Sequence, residues 1–268
     1  MPAENCTVIV EGRTLDYVRC GSGERRLLVI PGLSDGLRTV AGLARPLARS
    51  LRALTADFTV YTFSRAREGA PQSTREMAAD LGQAAELLGL APYGLLGVSL
   101  GGMIAQHLAL DHPQQVSRLV LAVTQARCSE HCRQVLTSWQ EQARRGDYRE
   151  LMRDTAEQTY APARARLYAA ACTLPFLPGR PASFDRFLAQ AQAGIDHDAS
   201  AGLFRIACPT LIIGGAKDRI VTPAAAPELH DLIPGSRLYI YPELGHGLFE
   251  EAKDFYPRVR DFLREDQG

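Results

Sequence analysis

Gly94-Leu95-Leu96-Gly97-Val98-Ser99-Leu100-Gly101-Gly102-Met103-Ile104-Ala105 is the stretch on which the reading of this chain turns. An apolar run ends at Val98, a serine follows, and a helical-period segment runs from Gly102 to Leu110, closed by Asp111-His112-Pro113. Strand, sharp turn and helix in that order, with Gly97 and Gly101 on either side of Ser99, match the G-x-S-x-G nucleophile-elbow pattern. The chemistry needs those glycines, because the serine sits at strained backbone angles and flanking side chains would meet the neighbouring strand and helix. Such a turn lifts the Ser99 hydroxyl off the sheet edge. It also aims at that hydroxyl the N-terminus of the next helix, which favours developing negative charge. Without its strand and helix the pentapeptide would be an ordinary glycine-rich turn.

A serine hydroxyl is a poor nucleophile until a base takes its proton. Of the six histidines (107, 112, 131, 197, 230 and 246), only His246 stands in a loop directly after an apolar strand, in Tyr241-Pro242-Glu243-Leu244-Gly245-His246-Gly247. His107 falls inside the elbow helix, His112 at its end, His131 and His197 in a helical region, and His230 in the middle of another helix. The base needs an acid to fix its tautomer. Asp218 is the preferred candidate, at the end of Leu211-Ile212-Ile213-Gly214-Gly215-Ala216-Lys217-Asp218. Glu243, close to His246 in sequence, is the alternative. Two backbone N–H groups are expected to form the oxyanion hole: that of Leu100, and that of Leu33 in the loop Ile30-Pro31-Gly32-Leu33-Ser34-Asp35-Gly36. Gly32 lets that backbone pass close to a substrate.

Around this unit, short β-branched runs alternate with helical segments, which predicts a mostly parallel sheet covered on both faces. Thr7–Val10 and Thr14–Cys20 read as a hairpin, and Leu27–Ile30, Phe58–Phe63, Val116–Val123, Pro209–Ile213 and Arg237–Tyr241 as further strands. Helices are expected over Arg38–Leu54, Ser73–Leu88, Pro223–Leu232 and Phe249–Leu263. Residues 125–205 break the alternation with four helical segments and the Pro-rich interruption Pro175-Phe176-Leu177-Pro178-Gly179-Arg180-Pro181. The expected organisation is therefore a core of residues 1–124 and 206–268 carrying a helical lid over 125–205. Inward-facing lid aromatics would make a mainly apolar pocket, with Trp139, Phe176 and Phe184 as substrate contacts beside Gly32.

Lys plus Arg and Asp plus Glu both total 30, so no long-range field gathers nucleic acid or anionic lipid. A small-molecule substrate is the expected partner. The N-terminal residues show no basic segment followed by an apolar run, and no apolar stretch approaches the roughly 18 residues of a membrane span. The six cysteines (6, 20, 128, 132, 172 and 208) are scattered as small hydrophobes of a reducing cytoplasm would be. Cys128, His131 and Cys132 cluster, but a zinc site needs a fourth ligand and none is evident, so neither metal nor organic cofactor is expected. Monomer and homodimer remain equally open.

Val29-Ile30-Pro31-Gly32, the elbow, Pro209–Asp218 and Gly245-His246 together resemble the α/β-hydrolase superfamily over nearly the whole chain. The similarity is to its single-domain group with a helical lid, which contains esterases, lactonases and cofactor-free haloperoxidase-like enzymes. The resemblance implies an α/β fold with an eight-stranded, mostly parallel sheet, and a triad of Ser99, Asp218 and His246 in that order. Two departures stand out. Relatives carry His-Gly where this chain has Pro31-Gly32, which puts the donor geometry of Leu33 in question. They also carry Asp-x-Arg-Gly-x-Gly where this chain has Ser64-Arg65-Ala66-Arg67-Glu68-Gly69. Arg65 and Arg67 would then be either solvated or able to bind a substrate carboxylate.

The expected reaction is acyl transfer to water on a small-to-medium ester, thioester or lactone. A serine nucleophile argues against the aspartyl-ester chemistry of dehalogenases and epoxide hydrolases. The alternatives are a cofactor-free lyase or perhydrolase on the same three residues, and a ligand-binding receptor in which they are vestigial.

Overall fold

A computed structural model describes residues 3–68, 72–171 and 180–265. Its centre is one sheet of β1 (Ala3–Val10), β2 (Arg13–Cys20), β3 (Arg25–Ile30), β4 (Phe58–Phe63), β5 (Tyr93–Val98), β6 (Val116–Ala122), β7 (Thr210–Gly215) and β8 (Arg237–Tyr241). The spatial order is β1-β2-β4-β3-β5-β6-β7-β8. β1 and β2 pair antiparallel, β2 meets β4 antiparallel, and all pairings from β4 through β8 are parallel. The central strands are apolar on both faces: every residue of β5 and of β7 is buried. That is what a parallel sheet covered on two sides requires.

Helices α1 (Ala44–Ser50), α2 (Thr74–Leu87) and α3 (Leu100–Asp111) belong to the first half of the sheet. Between β6 and β7 come α4 (Glu130–Arg144), α5 (Tyr148–Thr159), α6 (Pro162–Ala171) and α7 (Asp185–Ile195). The second half adds α8 (Ala225–Leu232), α9 (Leu248–Glu251) and α10 (Phe255–Arg264). One face of the sheet packs on α2, α3 and α8 through residues such as Leu81, Leu108 and Leu229. The other packs on α1 and α10 through Ala48, Phe255, Val259 and Phe262. A separate apolar cluster joins Cys132, Leu136, Trp139, Leu151 and Phe187 of the inserted helices to Ile220 and Val221 after β7, which seats the insertion over the carboxyl ends of the strands.

Two expected helices are shorter than their apolar periodicity suggests. Over Arg38–Leu54 only Ala44–Ser50 is α-helical, because Gly42 takes a left-handed φ of 79° and resets the chain. The segment Phe249–Leu263 is divided into α9 and α10 at Ala252-Lys253-Asp254, where Ala252 is extended (ψ 118°). Among the described residues no helix is long and apolar enough to cross a membrane.

The chain leaves β3 toward β4 and returns to build β5 on the opposite side of β3. The loops that follow β3 and β5 therefore part in opposite directions and open a crevice between the carboxyl ends of the two strands. That is where open α/β sheets bind ligands.

Candidate active site

Ser99 follows β5 and caps α3 with φ 54° and ψ −121°, a combination that costs a non-glycine residue about 1–3 kcal/mol. Its N–H donates to Ala122 O at 2.9 Å, and its carbonyl accepts from Gly102 N at 2.8 Å. These bonds hold the turn between sheet and helix. A Cβ on Gly97 would stand 2.6 Å from both Gly101 O and Gly102 Cα, and one on Gly101 would overlap the carbonyl of Ile30. The glycines are thus required by close approach at positions where φ itself is ordinary.

His246 lies in the loop after β8 and Asp218 in the loop after β7, and both are buried. The loops run together because Gly215 has no side chain; a Cβ there would lie 2.6 Å from the carbonyls of Leu244 and Gly245. Ala216 N donates to Tyr241 O and Lys217 N to Leu244 O, each at 3.0 Å. Asp218 Oδ1 accepts from the N–H groups of Ile220 (2.8 Å) and Val221 (3.1 Å), while Oδ2 lies 2.8 Å from His246 Nδ1. A carboxylate only accepts, so Nδ1 carries the imidazole proton and donates it. The lone pair of Nε2 is then left facing Ser99 Oγ, 2.9 Å away. This arrangement can draw a proton from Ser99 and hold the resulting imidazolium against a fixed negative charge.

Glu243 lies elsewhere, exposed and paired with Lys217. His131 reaches Arg219 O, His230 bonds Ser236, and His197 bonds Thr74 Oγ1 at 3.0 Å with His107 packed edge-on beside it.

The backbone after β3 comes close to the same point. A Cβ on Gly32 would lie 3.3 Å from Ser99 Cβ and 3.8 Å from Oγ. Leu33 opens a 3₁₀ turn (Leu33–Gly36) and Leu100 opens α3, so neither N–H has a carbonyl within its own element to bond. Among the described residues no backbone carbonyl outside their elements accepts from either. Ser99, His246, Gly32, Leu33 and Leu100 all face a cavity of about 1110 Å³ that runs beneath the inserted helices.

Of the expected substrate contacts, Trp139 lines this cavity, its indole N–H donating to Asp154 Oδ2 at 2.8 Å. Phe184 does not: as the residue before α7 it packs beside Tyr148, with Arg180 over its ring, away from the lining. Phe176 lies outside the described residues. Residues passed over in the sequence reading, including Ile220, Val221, Phe249 and Gln190, also line the space. Ile220 and Val221 were within reach of inference, since they stand two and three positions after Asp218; nothing local marks Gln190.

Neither arginine of the loop after β4 lines the cavity, and of the two only Arg67 reaches solvent. Arg67 pairs with buried Asp16 through Nε at 2.8 Å. Arg65 is buried and donates to the carbonyls of Pro31 (2.6 Å) and Gly32 (2.7 Å) and to Gln190 Oε1 (2.6 Å). Asp35 stands 3.4 Å from Arg65 Nε and accepts from Arg186 of α7 at 2.8 Å.

Comparisons with known proteins agree with this architecture. Residues 25–253 match the family described as alpha/beta hydrolase fold. A protein from Klebsiella pneumoniae named carbamate hydrolase RutD is 32% identical over 198 residues, 71% of this chain and 73% of that protein. The polyketide synthase ThaQ of Burkholderia thailandensis is 31% identical over 268 residues, 95% of this chain but only 12% of the synthase. Among solved structures, the α/β-hydrolase enzyme MGS-M2 from a deep-sea metagenome superposes with a TM-score of 0.83 at 19% identity, covering 98% of each chain. With the sheet order, the elbow turn and a family match running from β3 to α9, the chain belongs to the α/β-hydrolase fold family.

Proposed function

We propose that this protein is a serine hydrolase that cleaves a small-to-medium carboxylic ester, thioester or lactone through an acyl-enzyme. The observation that carries the reading is the continuous hydrogen-bond line Ser99 Oγ to His246 Nε2 (2.9 Å) and His246 Nδ1 to Asp218 Oδ2 (2.8 Å), opening into the cavity. In this scheme Ser99 Oγ attacks the substrate carbonyl carbon as His246 takes its proton. The carbonyl oxygen becomes an oxyanion held by the Leu33 and Leu100 N–H groups. Collapse expels the leaving group, which receives the proton from His246. Water then repeats the sequence and releases the acid, so every proton and bond is accounted for by Ser99, His246, substrate and water.

The inserted helices act as the lid and set the acyl preference through Trp139, Met152 and Phe187. Thr159 O at the end of α5 accepts from Gly247 N at 2.7 Å, which ties the insertion to the loop that carries His246. Carbamate cleavage is the second substrate reading, favoured by the 32% identity to the protein named carbamate hydrolase RutD, since the same attack on a carbonyl serves both.

The test is a panel of p-nitrophenyl esters of increasing acyl length, N-acetylcysteamine thioesters and an aryl carbamate. Turnover of at least one class is expected, with Ser99→Ala reduced by roughly 10⁴-fold or more. Equal turnover by Ser99→Ala would remove Ser99 from the chemistry.

A further inference from the structure

Arg65 sits behind the loop that carries Gly32 and Leu33. Its Nη1 donates to Pro31 O and its Nη2 to Gly32 O, so one planar guanidinium grips two successive peptide groups. Gripping both planes fixes the dihedrals between them, and Gly32 is held at φ −70° and ψ −163°. In a trans peptide the C=O and the following N–H point in opposite directions. Turning Gly32 O back onto Arg65 therefore turns the Leu33 N–H away from Arg65. Gly32, on the other side, lies against Ser99 and the cavity.

The charge of the cluster works in the same sense. Arg65 and Arg186 share the single carboxylate of Asp35, so two cations and one anion lie behind the loop. Burial draws the Arg65 pKa down from its ordinary value, with Asp35 opposing and Arg186 reinforcing that shift, and a guanidinium stays protonated in proteins regardless. A charged donor on the carbonyl end of an amide polarises it and makes its N–H a stronger donor. Gln190 and Arg186 of α7 complete the clamp. The insertion and the loop after β3 are thereby one mechanical unit.

We infer that Arg65 is the positioning residue of the oxyanion site, orienting and polarising the Gly32–Leu33 peptide so that the Leu33 N–H meets the oxyanion. This deepens the serine-hydrolase reading and rests on it. A surface arginine would not do this, and neither would lysine, whose single ammonium cannot span both carbonyls in one plane.

The experiment compares wild type, Arg65→Lys and Arg65→Met for kcat and KM on the best ester, for Tm, and for the Ki of an aryl trifluoromethyl ketone. The ketone reports on the site directly: Ser99 Oγ adds to its carbon, the serine proton passes to His246, and the ketone oxygen becomes an oxyanion. Mispositioning one oxyanion donor is expected to lower kcat about 100-fold in Arg65→Met and about tenfold in Arg65→Lys, with KM within about threefold. The ketone Ki should weaken by the same factor as kcat/KM. A folded Arg65→Lys with wild-type kcat and Ki overturns the inference, as does a fall in Tm with kcat per folded molecule unchanged. If both variants fail to fold, Arg65 belongs to the scaffold and the inference is again overturned. Ser99→Ala assayed alongside keeps the two readings apart: full turnover there sinks the hydrolase itself, whatever the Arg65 variants do.

Discussion

Asp218 is held on both oxygens, one by two backbone N–H groups and the other by His246. Asp218→Asn offers an amide N–H2 where the carboxylate accepted, and the imidazole can turn to the tautomer whose Nε2 carries the proton. A fall in kcat of about 10⁴-fold is expected, with KM little changed, as measured by steady-state kinetics on the best ester. Glu243→Gln should leave kcat within twofold, because Glu243 is exposed and pairs with Lys217 instead. The positions of Ser99, Asp218 and His246 were legible in the sequence because each is a particular residue type in a loop directly after an apolar strand. The Asp35, Arg65, Arg186 and Gln190 cluster was not. Arg186 and Gln190 stand one turn apart on α7, but they meet Arg65 and Asp35 from 121 to 155 positions away, and no local pattern announces that meeting. The loop after β4 read as either solvated or able to bind a carboxylate, and nothing in its sequence points to the bonds that Arg65 makes to Pro31 O and Gly32 O.

Element by element, agreement was best where a local rule and the tertiary fold ask for the same thing. Ser73 and Glu76 form a complete capping box at the start of α2. Ser73→Ala should cost about 1 kcal/mol in chemical denaturation and leave kcat untouched, since no residue of α2 lines the cavity. Gly97→Ala tests the elbow differently. The added methyl meets the backbone of α3 at 2.6 Å, and overpacking of this kind is expected to cost about 1–3 kcal/mol, with activity lost as Ser99 moves. Helix ends were the weakest part of the sequence reading. Apolar spacing continued through Gly42 and through Ala252-Lys253-Asp254, whereas the backbone changes direction at both places, and periodicity carries no information about that. Phe184 was misread for a related reason: an aromatic beside a helix start does not reveal which side of the helix faces the cavity.

For the whole molecule, the fold class followed from the alternation of strands and helices, and the crevice from the reversal of strand order between β3 and β5. One buried group ties stability to pH. Burial, with His107 close by, pushes His197 down to about 3 against the pull of Asp198. The unfolded chain then binds a proton near pH 6.5 that the folded chain refuses, so this histidine favours the folded state above about 6.5 and loses that contribution as pH falls toward 3. Thermal unfolding of His197→Asn, whose amide stands where Nδ1 meets Thr74, should show a shallower fall in Tm across that window than wild type. The central claim is that Ser99 is the nucleophile, and covalent labelling tests it most directly. After incubation with a fluorophosphonate, digestion and mass spectrometry should find the adduct on the peptide containing Ser99, absent from Ser99→Ala and nearly absent from His246→Ala. An unlabelled native protein, or the same labelling in Ser99→Ala, would contradict the account.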